Sequence, residues 1–143
     1  MGTPVVLDTN VLISGYLWNG PPSKILQLFL ENKIDVIVSD KQYHELKRVI
    51  NYSRIGISTE RQKEFIETVL EHSVRIVPRA IVRGVQADPS DNALLEAAFE
   101  GKAKLIVTGD KHLLRLKQFT NTPIITPSQF LKLWESGSFL NNK

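Results

Sequence analysis

Several chemically distinctive features are missing from this 143-residue sequence. The absence of cysteine excludes disulfide frameworks, iron–sulfur sites, zinc fingers and thiol nucleophiles, and it predicts a cytoplasmic location. Asp35 interrupts the apolar segment at residues 34–38, and no apolar run is long enough to cross a membrane. The first residues contain no basic leader, so we expect neither a secretory signal nor a transit peptide. Neither the P-loop pattern GxxxxGKS/T nor the dinucleotide-binding pattern GxGxxG occurs.

Length and composition predict one domain. A chain of this size is close to the commonest domain size and leaves no room for two ordinary cores. Its 42% hydrophobic and 23% charged residues are typical of a soluble globular protein. We therefore expect a single domain over residues 1–135, followed by a loose tail over residues 136–143.

Short apolar segments alternate with amphipathic segments along the chain. Runs rich in β-branched residues predict buried strands at residues 5–7, 34–38, 74–77, 105–107 and 124–125, with residues 81–82 as a candidate continuation of the third. Apolar faces with helical spacing predict helices at residues 22–30, 40–50, 60–71 and 89–100. This alternation predicts an α/β fold in which helices cover both faces of a mostly parallel sheet.

Three helix starts have capping-box spacing, in which serine or threonine is followed three residues later by glutamine. The pairs are Ser39 with Gln42, Thr59 with Gln62, and Thr126 with Gln129. Pro127 strengthens the third prediction, because proline fits the first helical position without losing a hydrogen bond. A further short helix is expected around Leu113 and Leu114.

Acidic residues follow the predicted strands or begin the helices after them. Asp8 closes the first strand, Asp110 follows the fourth, and Glu45 lies in the second turn of the second helix. Asp88 and Asp91 accompany the start of the helix at residues 89–100. Because parallel sheets bind ligands outside the carboxyl ends of their strands, we expect these acids to meet at one edge of the sheet.

Each acid also has a local structural explanation. Aspartate is a preferred N-cap residue, so Asp8, Asp88 and Asp110 each fit the start of a helix. For Asp88 we favour this capping role over a place in a site. Asp91 fits the third helical position, where an acid supports the helix dipole, and Glu45 lies at ion-pair spacing from basic residues of its own helix.

Four carboxylates meeting at one edge favour a metal site over four separate caps. Clustered carboxylates repel one another and destabilise a fold unless a cation neutralises them. Mg²⁺ and Mn²⁺ prefer oxygen ligands and keep waters that phosphate oxygens can displace, which suits phosphodiester hydrolysis. Outside Asp8, Glu45, Asp91 and Asp110, the sequence has 18 basic and 11 acidic residues, which favours a polyanionic substrate.

The same acids form an ordered pattern along the chain. Its parts are Asp8-Thr9-Asn10 after the first strand, Glu45 in a mid-chain helix, Asp91 opening Asp-Asn-Ala-Leu-Leu-Glu-Ala-Ala, and Thr108-Gly109-Asp110 after a late strand. This pattern, which extends from Val5 to about Trp134, resembles the PIN-domain ribonucleases. It is most similar to the bacterial and archaeal branch that contains the toxins of toxin–antitoxin modules.

The resemblance implies a Rossmann-like three-layer sandwich with a sheet of about five strands. It also implies a Mg²⁺- or Mn²⁺-dependent endonuclease acting on RNA, assembly into homodimers or higher homo-oligomers, and an antitoxin partner. The four acids match the metal-holding positions of the family, and Asn10 and Thr108 match polar positions that orient carboxylates or water. Asp88 is either an additional acid of the site or a cap. Lys41 and Lys111 are candidates for contacts to phosphate.

Two alternatives remain open at this point. A phosphoaspartyl phosphatase or receiver domain would use Asp8 as its acceptor, but Asp8-Thr9-Asn10 lacks a second acid two residues further on. A non-catalytic RNA-binding or antitoxin-binding module would use the acids as helix caps, and it would be indifferent to Mn²⁺ and to Asp8→Asn. The three histidines are not spaced as a zinc site.

Overall fold

Six strands and seven helices make up the described part of the computed structural model, which covers residues 2–52, 54–78 and 89–137, with the backbone alone for residues 89 and 90. The strands are β1 (Thr3–Leu7), β2 (Ile34–Ser39), β3 (Val74–Ile76), β4 (Leu105–Val107), β5 (Gln118–Phe119) and β6 (Thr122–Ile125). The helices are α1 (Thr9–Leu17), α2 (Pro21–Leu30), α3 (Asp40–Ile50), α4 (Thr59–His72), α5 (Pro89–Glu100), α6 (Lys111–Leu116) and α7 (Pro127–Glu135).

The strands form one sheet in the order β3-β2-β1-β4-β6-β5. All neighbouring pairs are parallel except β5 with β6, which is antiparallel. The predicted α/β fold with a mostly parallel sheet is therefore confirmed. Strand β5 was not predicted, because its two residues are too few to show a period in the sequence.

Two separate apolar cores lie on the two faces of the sheet. Val5 and Leu7 of β1 belong to a core shared with α1, α2, α3, α4 and α7. Val6, between them, belongs to the other core, with residues of α5 and α6. Successive strand residues point to opposite faces, so a strand covered by helices on both sides has to be apolar throughout. This is why the sequence of β1 ends in three consecutive apolar residues.

The order of the strands places a switch point beside β1. The chain runs from β1 outwards through β2 to β3, and then returns to place β4 on the other side of β1. Leu7 is paired with Val107, and the Asp8 amide donates to the Val107 carbonyl at 2.9 Å. The residues that follow β1 and β4 therefore emerge side by side, where open α/β sheets bind their ligands.

Local capping signals account for most helix starts. Helices α3 and α5 have the predicted bounds, and Ser39 accepts the Gln42 amide at 3.2 Å. Thr126 and Gln129 form the complete reciprocal capping box at α7. The predicted N-cap of α4, Thr59, was wrong by one residue. Ser58 accepts the Arg61 amide, so α4 begins at Thr59 itself.

Helix α1 is packed closely against α2. A Cβ atom on Gly15 would lie 2.6 Å from the Pro22 carbonyl oxygen, so no larger residue fits there without moving α2. The buried residues Val11, Leu12 and Ile13 are consecutive. Consecutive apolar residues show no helical period, and this explains why no bounds could be predicted for α1 beyond a start after Asp8.

Some expectations concern segments outside the described ranges. They are the candidate strand continuation at residues 81–82, Asp88, and residues 138–143 of the predicted tail. Among the helices that are described, none combines the length and the apolar character needed to cross a bilayer.

The core that supports α5 yields a stability prediction. Leu95 is fully buried in the core between α5 and the sheet, so Leu95→Ala leaves a cavity there. We expect the free energy of unfolding in urea to fall by about 2–5 kcal/mol. Leu70→Ala is the control, because Leu70 is 39% exposed on α4 and should lose far less. Equal losses for the two variants would contradict this packing.

Candidate active site

A polar cleft of about 310 Å³ lies where β1 and β4 end. All four predicted acids line it, although they come from four different parts of the chain. The full lining among the described residues is Asp8, Thr9, Asn10, Glu45, Arg48, Val49, Tyr52, Arg54, Asp91 and Asp110. The structure thus brings the four acids together in space, as the sequence predicted. Whether they hold a metal or catalyse a reaction stays a prediction.

Asp8 is the half-buried acid at the centre of this arrangement. Its Oδ2 accepts a hydrogen bond of 2.6 Å from the Thr108 hydroxyl, and its Oδ1 accepts the Asn10 amide at 3.4 Å. The second bond makes Asp8 the N-cap of α1, so the capping explanation and the cleft position are both true of this residue.

The pKa of the Asp8 carboxyl is raised above its ordinary value. Loss of hydration on burial is the main cause, and the negative charges of Glu45 and Asp110 add to it. The hydrogen bonds from Thr108 and Asn10 act in the opposite direction, because they stabilise the carboxylate. Burial and the neighbouring acids together disfavour the ionised form of Asp8.

Thr108 joins two of the acids through one hydroxyl. The side chain is completely buried, donates to Asp8, and accepts the Asp110 amide at 3.0 Å. Its own amide donates to the Ile125 carbonyl of β6 at 2.9 Å, which fixes the turn after β4. Asp110 in turn caps α6 by accepting the His112 amide at 2.7 Å.

Glu45 is held by a residue that the sequence did not single out. The buried Thr9 hydroxyl donates a short hydrogen bond to Glu45 Oε1 and thereby joins α1 to α3 inside the cleft. The local ion pairs suggested for Glu45 do not form. Lys41 instead reaches across to Glu96 of α5 at 3.3 Å. The only sequence signal for Thr9 was its place in the Asp8-Thr9-Asn10 run.

Asp91 is 7% exposed in the first turn of α5 and faces the same cleft. The helix that carries it is tied to α3 by the Lys41–Glu96 ion pair, in which Glu96 is buried. Lys41 thus has a structural partner, and neither Lys41 nor Lys111 is among the described residues that line the cleft.

Two arginines, and not the predicted Lys41 and Lys111, are the basic residues that line the described part of the cleft. Arg48 and Arg54 line the cleft and are exposed, and within the described ranges neither forms an ion pair with a carboxylate. Their guanidinium groups are therefore available to a phosphate. Arg48, one turn after Glu45 on α3, was expected only as an ion-pair partner of that acid, and Arg54 was not selected because its approach to the acids depends on how the chain turns after α3.

The donor chemistry of the cleft fits a hard divalent cation. Carboxylate oxygens from Asp8, Glu45, Asp91 and Asp110 are the ligand type that Mg²⁺ and Mn²⁺ prefer. In the ranges that the structure describes, no group of three or more acidic or histidine side chains is arranged to hold a metal ion. Mg²⁺ does not require three protein ligands, since it usually keeps several waters and binds one or two carboxylates directly.

Replacing Thr108 tests the bridge between the acids. Thr108→Val removes the donor to Asp8 and the acceptor of the Asp110 amide, so we expect the protein to lose about 1–3 kcal/mol of stability in urea unfolding. Thr108→Ser keeps the hydroxyl and should lie close to wild type. Equal stability of the valine and serine variants would show that the bridge does not form in solution.

The raised pKa of Asp8 predicts a pH dependence in EDTA. The folded state holds the Asp8 proton more tightly than the unfolded state, so stability is lost as pH rises from the ordinary value of 3.8 through the raised one. Asp8→Asn removes this titration and keeps a good N-cap. Urea unfolding over about pH 4 to 7 should show wild type falling relative to Asp8→Asn, and parallel curves would refute the assignment.

Comparisons with known proteins agree with this architecture. The chain is similar to VapBC2 from Rickettsia felis bound to a DNA fragment from their promoter, with a TM-score of 0.58 and 14% identity over 87% of this chain and 98% of that one. It is also similar to the PIN domain endonuclease Utp24, with a TM-score of 0.51 and 20% identity over 86% of this chain and 84% of that one. At these identities the likeness shows the fold alone.

The family assignment rests on a sequence comparison. No curated protein matches the chain. The family model of the PIN domain, however, matches residues 4–112, which include both strands and both helices that deliver the four acids to the cleft. The resemblance read from the ordered acids is confirmed at this level: the chain belongs to the PIN-domain family.

Proposed function

We propose that this protein is a metal-dependent endoribonuclease. The observation that carries the proposal is the meeting of Asp8, Glu45, Asp91 and Asp110 in one cleft at the carboxyl ends of β1 and β4. Capping alone does not account for it. Asp8 and Asp110 do cap helices, but caps have no need to share a cleft, and Glu45 lies within a helix.

Mg²⁺ or Mn²⁺ would bind among the four acids, through one or two carboxylates directly and through retained waters to the others. Such an ion, when bound, supplies a polarised water and stabilises charge on a phosphodiester. The Thr108 hydroxyl donates a hydrogen bond to the Asp8 carboxylate, and the Thr9 hydroxyl donates one to the Glu45 carboxylate. Each hydroxyl donates to one oxygen of its acid, and the other Asp8 oxygen accepts the Asn10 amide. Asn10, which lines the cleft, contributes its amide to Asp8.

Charge distribution supports RNA as the substrate class. The chain outside the four acids has an excess of basic residues, and Arg48 and Arg54 stand at the cleft without carboxylate partners in the described ranges. Arginine binds phosphate through a planar fork of donors. We propose that these two arginines position the RNA backbone while the acids and their metal act on one phosphate.

We further propose that the protein is a toxin of a toxin–antitoxin pair and acts in the cytoplasm. Its structural likeness to VapBC2 of Rickettsia felis supports an antitoxin partner, and the resemblance to that branch of the family supports a homodimer or higher homo-oligomer. An antitoxin that covers the cleft would have to bring positive charge to the acids.

The cleavage test uses a mixed RNA pool with the purified protein and Mn²⁺. Wild type should produce new ends that disappear in EDTA. Asp8→Asn should reduce the rate at least about a hundredfold, since even residues that only support metal ligands contribute 10–100-fold. Ends are mapped by sequencing, and thermal unfolding checks that the variant is folded.

Asp40→Asn is the matched control, because Asp40 is an exposed aspartate of α3 outside the cleft lining that pairs with Arg75. It should cleave at the wild-type rate. Equal cleavage by wild type and Asp8→Asn, or cleavage that persists in EDTA, would contradict the proposed function and point to a contaminating nuclease.

A further inference from the structure

Residues of α3 and of the turn that follows it line the cleft beside the acids. Glu45, Arg48 and Val49 lie on one face of α3, spaced at i, i+3 and i+4, and Tyr52 lies two residues after the end of the helix. The Tyr52 amide bonds back to the Val49 carbonyl at 3.1 Å, which keeps the tyrosine beside that face. The cleft thus combines acidic, basic and aromatic side chains.

The Tyr52 ring is accessible and carries a cation. Tyr52 is 39% exposed, and the Arg54 guanidinium carbon lies 5.3 Å from the centroid of its ring. The backbone beneath the ring is fixed at both ends. The Tyr52 amide donates to Val49 at 3.1 Å, and its carbonyl accepts from Ile55 at 3.0 Å.

The other two tyrosines in the chain provide a comparison. Tyr16 also lies under an arginine, Arg61, but it packs against Phe65 in the core. Tyr43 has cations over its ring and packs against the same core. Neither lines the acidic cleft. Core packing explains those two rings, but it does not explain an exposed tyrosine beside four acids.

From this placement we propose that Tyr52 and Arg54 form a subsite that stacks an unpaired RNA base next to the cleaved phosphate. The proposal rests on the endoribonuclease function and deepens it, because it names the two residues that would hold a base beside the acids. A base in a duplex is already stacked on its neighbours, whereas an unpaired base can leave the strand and lie on a tyrosine ring. Arg54, held over that ring, would contact the adjoining phosphate or the base itself.

Binding in EDTA tests the subsite without any cleavage. The probe is a fluorescein-labelled RNA of about ten nucleotides, used single-stranded or annealed to its complement, with affinity read by anisotropy. Wild type should prefer the single strand. Tyr52→Leu should weaken single-strand binding roughly 5- to 100-fold and leave duplex binding unchanged, while Tyr52→Trp should restore it. A strand containing 2-aminopurine should be quenched by wild type and not by Tyr52→Leu.

Arg54→Gln is compared with Arg61→Gln, which removes the same charge from another arginine–tyrosine contact outside the cleft. Only the first should weaken single-strand binding. Wild-type affinity in Tyr52→Leu, no preference of wild type for single strands, or equal effects of the two arginine variants would overturn the subsite. If the binding results are as expected but wild type shows no cleavage that depends on Asp8, the endoribonuclease proposal alone is overturned.

Discussion

Mutual repulsion of carboxylates is the constraint on which this site depends. Burial is the main cause of the raised pKa of Asp8, and the charges of Glu45 and Asp110 add to it, so these two acids are close enough to oppose its ionisation. The fold holds them together by placing Asp8 and Thr108 directly after the paired residues of β1 and β4. The Thr108 hydroxyl then offsets part of the repulsion from below the cleft. A cation entering from the open side would remove most of what remains.

Polar contacts that are buried on at least one side connect the site to the surrounding helices. Gln42 donates from α3 to the Leu7 carbonyl at 2.6 Å, immediately before Asp8. Thr9 reaches from α1 to Glu45, and Lys41 reaches from α3 to Glu96 on α5. Buried polar groups are costly when they lose a partner, so each contact specifies one position of its helix. Helix α3, which provides Glu45 and leads into Tyr52, is fixed through three of these contacts to β1, α1 and α5.

The helices and caps that could be predicted from the sequence are those determined by residues close together in the chain. The starts of α3 and α7 follow from capping residues within their first turn, and the bounds of α3 and α5 follow from the apolar spacing along each helix. The four acids could be selected because each occupies a strand end or a helix turn that the chain order brings to one edge. At Ser58 and Thr59 two adjacent residues can both cap, and the choice between them depends on contacts beyond the helix start.

The parts that escaped prediction depend on contacts between distant segments. Thr9 and Gln42 look like ordinary helix residues until β1, α1 and α3 are packed together. Arg54 follows α3 by four residues, and it reaches the cleft only because the chain turns at Tyr52. Lys41 was the more obvious phosphate ligand by sequence, being one turn before Glu45 on the same helix. Lys41 instead pairs with Glu96, because a buried carboxylate is stabilised by a cation beside it.

The division of charge within the cleft explains how an acidic centre can accept a polyanion. Four carboxylates alone would repel a phosphate backbone, even if one cation neutralised two of them. Arg48 and Arg54 share the cleft lining with the acids and add positive charge to it. If the cleft binds RNA as proposed, the arginines would contact the phosphate backbone, and only the phosphate held beside the metal would have to approach the acids. The cleft would then divide its work between acids that bind a cation and arginines that bind the strand, with Tyr52, just after α3, beside both.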